Sequence, residues 1–301
     1  MNAFSKIVVG VDSSARADEA ARQALAVARL SGAEIVLVHV GLVPDEIEGL
    51  PPSMAGTARA YRQILAGRLA EDRRRLSELR ERVSGQGVQV SQAVIDGFAD
   101  VTLAEAAQRL GADLIVVGTH GRTGLRRILL GSVAERTVRL ADISVLVVRG
   151  EVVAGGYRRL VVGTDFSPYS AWALDRAIAI AAPGADVHVV NCWRVPGEIA
   201  GHGETVDAVV GELRRDLAAA SDERGRELLR PLLDRAVSVR FESLERSPID
   251  GLVDAAAIDD ADLVVVGSHG YRGLRRFVLG SVAEAVVRHA PCSVLVARQS
   301  P

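Results

Sequence analysis

The strongest constraint on this chain of 301 residues is that it repeats itself. The stretch from Ala112 to Arg149, ADLIVVGTHGRTGLRRILLGSVAERTVRLADISVLVVR, returns from Ala261 to Arg298 as ADLVVVGSHGYRGLRRFVLGSVAEAVVRHAPCSVLVAR, with 26 identities in 38 positions. A repeat period near half the chain sets the domain count at two. The expected division is 1–150, a linker at 151–157 with Gly155 and Gly156 as its flexible point, and 158–301. Inside both copies lies Gly-x2-Gly-x9-Gly-Ser, an apolar run that ends in a glycine-rich loop leading toward a helix. Such a loop aims main-chain N–H groups at an anion, so each half reads as a phosphate-binding unit.

Hydrophobic residues make up 49% of the chain and aromatic residues 4%, so the cores must be built from Ala, Val, Leu and Ile. That filling suits parallel sheets covered by helices. The formal charge of −2 argues against a nucleic-acid partner, which calls for a basic field. Lys6 is the single lysine among 36 basic residues. Arginine suits bidentate contact with phosphate, though the bias equally fits a genomic base composition. Two cysteines, Cys192 and Cys292, lie without metal-ligand spacing, as expected in a reducing compartment. With no run of 18 apolar residues and no leading apolar segment, the chain is expected to be cytoplasmic, without a membrane partner.

Each half opens on a short β-branched run, Lys6–Asp12 and Arg158–Asp165, followed by a helix-start signal and an alanine-rich helix. Ser167 and Pro168 read as N-cap and first helical residue. A second strand is expected at Glu34–Val40 and Asp186–Cys192, each holding a histidine, His39 or His188, that alternates with apolar residues and reads as a satisfied core or edge position. A long charged helix follows. Its apolar stripe is Leu65, Leu69, Leu76, Leu79 and Val83 in the first half, begun by Val209, Leu213 and Leu217 in the second, where Pro231 interrupts or ends it. The remaining strands and helices complete βαβαβαβαβ twice. That order implies an α/β fold of two tandem doubly wound domains, each a parallel sheet with helices on both faces.

The phosphate loop of the first half holds Gly118, His120, Gly121, Arg122, Gly131 and Ser132. Ser132-Val-Ala-Glu135 and Ser281-Val-Ala-Glu284 fit a capping box, which leaves other first-turn donors available. A Walker A loop is excluded because no lysine precedes the serine, and neither loop follows the Rossmann Gly-x-Gly-x-x-Gly pattern. Arg126 and Arg127, with Arg272, Arg275 and Arg276, are in reach of outer phosphates by sequence position. His120 and His269 lack an identifiable nucleophile nearby, so a positioning role is preferred and no catalytic or metal-ligating residue is assigned.

The openings IVVGVDSS and LVVGTDFS, the strings VGTHGRTGLRRILLGSVAE and VGSHGYRGLRRFVLGSVAE, and the terminal VLVVR and VLVAR resemble the universal stress protein family in its tandem, ATP-binding form. The resemblance covers nearly the whole chain. It implies a five-stranded sheet of order 3-2-1-4-5 in each half, with a ligand crevice where strands 1 and 4 part. It also implies that Val11, Asp12 and Val40 contact the adenosine side, and that Gly118, His120, Gly121, Gly131, Ser132 and Val133 take the ribose and phosphates. The matching positions in the second half are Thr164, Asp165, Cys192, Gly267, His269, Gly270, Gly280, Ser281 and Val282. The expected cofactor is ATP, with Mg2+ an open companion, and the second site is the weaker of the two. The resemblance further suggests an intramolecular pseudo-dimer through the fifth strands, with a homodimer of chains left open. The segment Val43–Thr57 reads as a cover over the nucleotide or as an ordinary loop.

These features fit an ATP-binding regulator of a stress response rather than an enzyme. A slow ATPase or nucleotidyl-transfer enzyme using His120 or Asp12 with Mg2+ is one alternative. A structural dimerisation module with empty sites is another.

Overall fold

The computed structural model describes residues 4–12, 15–41, 55–119, 130–150, 155–195, 204–232, 235–269 and 279–299. The chain divides into two compact units, the first running to residue 151 and the second from residue 152.

In the first unit β1 (Lys6–Gly10), α1 (Ala15–Ser31), β2 (Glu34–Gly41), α2 (Ala55–Val83) and β3 (Val90–Asp96) lead into α3 (Ala99–Arg109), β4 (Leu114–Gly118), α4 (Ser132–Leu140) and β5 (Ser144–Val148). All pairings are parallel: β1 lies between β2 and β4, β3 flanks β2, and β5 flanks β4. That is the order 3-2-1-4-5. The central strands are buried on both faces, which explains why Ile7, Val8, Val9 and Leu114–Val117 form unbroken apolar runs instead of alternating. Against them α1 presents Ala17, Ala20, Ala21, Ala24 and Ala28, all buried and small enough for close approach.

The second unit repeats the plan with β6 (Tyr157–Thr164), α5 (Pro168–Ile180), β7 (Ala181–Trp193), α6 (Glu204–Leu229), β8 (Ser238–Glu245), α7 (Pro248–Ile258), β9 (Leu263–Gly267), α8 (Ser281–His289) and β10 (Ser293–Ala297). Here β6 lies between β7 and β9, with β8 and β10 outside them, again all parallel. One steric detail is common to both units. A Cβ on Gly10 would lie 2.7 Å from Leu103, and one on Gly163 would lie 2.9 Å from Leu252. Only glycine at the end of the first strand lets the third helix of each unit settle this closely. At the opposite end of the strands, Asp113 accepts from the amides of Ser5 (2.8 Å) and Lys6 (3.2 Å), and Asp262 from those of Arg158 (2.8 Å) and Arg159 (3.1 Å).

Ser167 caps α5 by accepting from Ser170 N (3.3 Å), with Pro168 as the first helical residue, as the sequence implies. Pro231 falls in a 3-10 turn, Arg230–Leu232, directly after α6. Two readings need correction. Gly131 and Gly280, not the serines, are the N-caps of α4 and α8; both are extended and neither helix has a side-chain cap bond, so Ser132 and Ser281 are first helical residues rather than parts of a capping box. The apolar stripe also differs between the long helices. Leu65, Leu69, Leu76, Leu79 and Val83 are buried in α2, but Val209 is 56% and Leu213 37% exposed in α6. Among its described residues, the buried positions of α6 are Ser221 and Gly225, which set the face that meets the sheet and leave Val209 and Leu213 beside it.

Candidate functional site

Strand order places the C-terminal ends of β1, β2 and β4 side by side, where crossovers leave in opposite directions and a crevice must open. In the first unit that crevice is a cavity of about 470 Å3. Its walls gather Val11 and Asp12 after β1, His39 and Val40 from β2, Gly118 and Thr119 at the exit of β4, and Gly131, Ser132 and Val133 at the start of α4. The helix α2 closes one side with Leu65, Arg68, Leu69 and Asp72, while Ala99 and Leu103 of α3 close the other.

A main-chain clasp shapes the phosphate end. Gly131 N donates to Thr119 O (2.6 Å), and Thr119 N donates to Val148 O (3.3 Å). The clasp returns the chain beside the end of β4 and consumes the N-cap amide. The next three amides, on Ser132, Val133 and Ala134, belong to the first helical turn and have no acceptor within the helix. All three residues line the cavity, so the positive end of α4 is directed into it. The second unit has the same clasp: Gly280 N donates to Ser268 O (2.9 Å) and Ser268 N to Ala297 O (3.0 Å).

Of the residues expected in the first site, Val11, Asp12, Val40, Gly118, Gly131, Ser132 and Val133 meet at one cavity. His120, Gly121 and Arg122 lie outside the described residues, as do Gly270, the outer arginines of both loops and positions 43–54 of the segment read as a cover. Ala55–Thr57, the end of that segment, already belongs to α2.

In the second unit several expected site residues have structural occupations. Thr164 Oγ1 accepts from Phe166 N (3.0 Å) and lies 3.1 Å from Ser170 Oγ, and Asp165 Oδ1 accepts from Ser167 N (3.0 Å), so both shape the entry to α5. The Cys192 thiol packs against Gly251, where a Cβ would overlap the sulfur, and burial pushes its pKa up to about 11. This fits an inert thiol. Gly267 closes β9, and His269 Nδ1 pairs with Ser268 Oγ (2.9 Å) while its ring lies 5.6 Å from that of Tyr169. Ser281 and Val282 open α8 as Ser132 and Val133 open α4.

His39, expected as a satisfied core or edge position, is buried and bonded, and it also contributes to the cavity wall. Its Nδ1 lies 2.9 Å from Val11 O and its Nε2 3.3 Å from Asp72 Oδ2. The available signal was its position directly before Val40, the strand residue already assigned to the ligand. His188 is likewise buried, with its Nδ1 paired to Asp259 (2.6 Å) and its Nε2 at ion-pair distance from Glu242 (3.0 Å). A smaller cavity of about 200 Å3 shares Val11, Asp12, Ala17, His39 and Asp72 with the larger one and continues along α2 to Leu79 and Arg82. Among the described residues, no group of three or more His, Cys, Asp and Glu side chains is arranged to hold a metal ion.

Comparison with known proteins covers the full span. The family model for the universal stress protein family matches residues 3–149 and again 156–298. A universal stress protein of Mycolicibacterium smegmatis is 32% identical over 303 residues, covering 97% of this chain and 96% of that protein. Another, from Methanocaldococcus jannaschii, is 36% identical over 148 residues, 49% of this chain and 84% of its own length. Among solved structures, a universal stress protein from Archaeoglobus fulgidus aligns with a TM-score of 0.62 at 17% identity, over 99% of this chain and 97% of its own, a likeness of fold.

Proposed function

The chain belongs to the universal stress protein family, and from that premise we propose that it is an adenine-nucleotide-binding regulator whose output is a change of shape or partner rather than a chemical product. One observation carries the reading. Segments distant in sequence converge on a single cavity that has an acidic side chain, Asp12, near the strand ends and the first turn of α4 at the other side. A nucleotide needs both: acceptors for ribose hydroxyls or a base amine, and a positive dipole for the phosphates. A cavity of about 470 Å3 is also within the usual size range of small-ligand sites. The repeated clasp at Gly280 supports a second site built on the same frame.

ATP is the ligand proposed. If Mg2+ accompanies it, the phosphates themselves would supply most of its ligands. A regulatory role in the cell interior suits the reading, and no helix of the described residues is long and apolar enough to cross a membrane.

Equilibrium dialysis of the full chain against labelled ATP tests the proposal. Up to two nucleotides per chain are expected, and Ser132→Trp, which fills the first cavity from the helix start, removes the first-half share. A chain that retains no adenine nucleotide overturns the reading. Turnover well beyond one ATP per site, abolished in a His120→Ala and His269→Ala double variant, would replace it with the hydrolytic alternative.

A further inference from the structure

The smaller cavity of the first unit leaves the larger one at a definite place. The two share Asp12 and Asp72, while among the described residues the smaller is lined by none of the phosphate-end positions Gly118, Gly131 and Ser132. It therefore departs from the end that Asp12 marks and follows α2 outward. Arg82, ten residues beyond Asp72 and so about 15 Å along the helix, pairs with Asp18 of α1 (2.9 Å) at its far side. Four carboxylates, on Asp12, Asp18, Asp72 and Glu78, and two guanidiniums, on Arg75 and Arg82, line this space of about 200 Å3. Such a wall disfavours a further phosphate and suits a hydrogen-bond donor that is neutral or positively charged.

In the second unit a side chain stands at the corresponding place. Arg224 corresponds to Arg75, each fifteen residues ahead of a paired strand residue, Val239 or Val90, and Thr164 and Asp165 end or follow β6 as Val11 and Asp12 follow β1. From that strand exit the ring of Phe166 reaches α6: it lies 4.5 Å beneath the Arg224 guanidinium and meets the ring of Phe241 at 6.1 Å. The backbone of Phe166 is in the left-handed region (φ 60°), which a residue with a Cβ adopts at a cost, and its amide donates to Thr164 Oγ1 (3.0 Å). The ring contacts hold it there. What is open beside Asp12 in one half is occupied beside Asp165 in the other.

We propose that the first unit binds adenine nucleotides that carry an added donor group, neutral or cationic, at the nucleoside end, and that the Phe166 ring makes the second unit reject them. The inference rests on the nucleotide-binding reading and names the ligand class within it. The larger cavity accommodates the nucleotide, Asp12 stands where the two cavities meet, and the added group lies along α2 between Asp72 and Arg82. One duplicated frame then sorts two classes of nucleotide.

Competitive equilibrium dialysis against labelled ATP tests this with two amine probes, N6-(6-aminohexyl)-ATP, extended from the base, and 2′/3′-O-(2-aminoethylcarbamoyl)-ATP, extended from the ribose. Full-length Ser281→Trp leaves the first site and Ser132→Trp the second. At the first site one of the two amines should bind at least as tightly as ATP, and which one does so identifies the point of attachment. At the second site both should bind at least about tenfold more weakly than the favoured amine does at the first, as expected where added atoms have no room. Phe166→Gly, which suits the left-handed backbone, should admit that amine to the second site. Glu78→Lys, at a position that lines the smaller cavity and not the larger, should weaken the amine about threefold at the first site without changing ATP, the scale of one exposed ion pair. It decides the matter if Phe166→Gly fails to fold. Weaker binding of both amines than of ATP at the first site, equal acceptance by the two sites, or equal effects of Glu78→Lys on amine and ATP overturns the proposal. No ATP retained by the unaltered chain defeats the nucleotide-binding reading itself, a failure distinct from rejecting the extended nucleotides alone.

Discussion

Leu76 and Gly225 stand at the same place in their respective halves, each fourteen residues ahead of a paired strand residue, Val90 or Val239. In the first half the large residue is on the helix, and Gln92 of β3 opposite it is polar and bonded to Ser77 (3.0 Å). In the second half the helix offers glycine, and Phe241 of β8 fills the space so fully that a Cβ on Gly225 would overlap its ring. Phe241 in turn meets Phe166 at 6.1 Å, over which the Arg224 guanidinium lies at 4.5 Å. Elsewhere the contacts have changed partner: Thr102 packs on Gly97 in one half, while its counterpart Gly251 receives the sulfur of Cys192 in the other. The strand framework has been kept, and bulk has moved between partners across the helix–sheet interface. Duplicated units diverge most safely this way, because total core volume is conserved when large and small residues change sides together.

The comparison can be broken most sharply at its first pair. Leu76→Gly should cost the first half about 4 kcal/mol, from the cavity and the helical glycine together. Adding Gln92→Phe should recover about 1–2 kcal/mol of it through coupling. Hydrogen exchange of β1 against β6 resolves the two halves; additive costs would show that the pairs are not linked. Gly251→Ala should destabilise the second half by about 2 kcal/mol through overlap with the sulfur, and Cys192→Ala should relieve most of that loss. Urea unfolding followed by the same exchange probe measures both.

Smaller effects sharpen the picture. Trp193 occupies the position at which Gly41 lines the first cavity, and its indole donates to Ser243 Oγ (2.8 Å). Trp193→Gly is expected to tighten ATP binding by the second half on the order of threefold, a fraction of a kcal/mol. An unchanged affinity would mean that the indole does not restrict that site. The smallest effect concerns Asp262. Burial pushes its carboxyl pKa upward, against the opposing pull of the Arg158 and Arg159 amides. The folded state therefore holds this proton to higher pH than the unfolded chain does, and the associated stability is lost as pH rises through the folded value. The second half should gain slightly in urea midpoint on acidification through the carboxylate range, a gain absent from Asp262→Asn.

Much of this was visible before any coordinates. Unbroken runs such as LIVVG fixed buried parallel strands, and the repeated VLVVR and VLVAR strings fall in the closing strands Ser144–Val148 and Ser293–Ala297. The glycine-serine spacing located the helix start that faces the cavity. The failures share a cause. Ser132 resembled a cap because its local string fits one, but the clasp to Thr119 makes Gly131 the last extended residue, and that contact is not local. Val209 and Leu213 resembled a core stripe because their spacing is helical, but the face of α6 is set by Ser221 on Asn191 and by Gly225 under Phe241. His39 is the satisfied, buried position that alternation implies, but alternation does not tell that a cavity opens beside it.

The clasp from Gly131 to Thr119, and its twin from Gly280 to Ser268, pins both ends of an intervening stretch with one hydrogen bond. The geometry of strand exit and helix entry is thus anchored outside that stretch, at positions that the two halves share. Substitutions inside it, such as Tyr271 where the other copy has Arg122, leave those shared anchors in place.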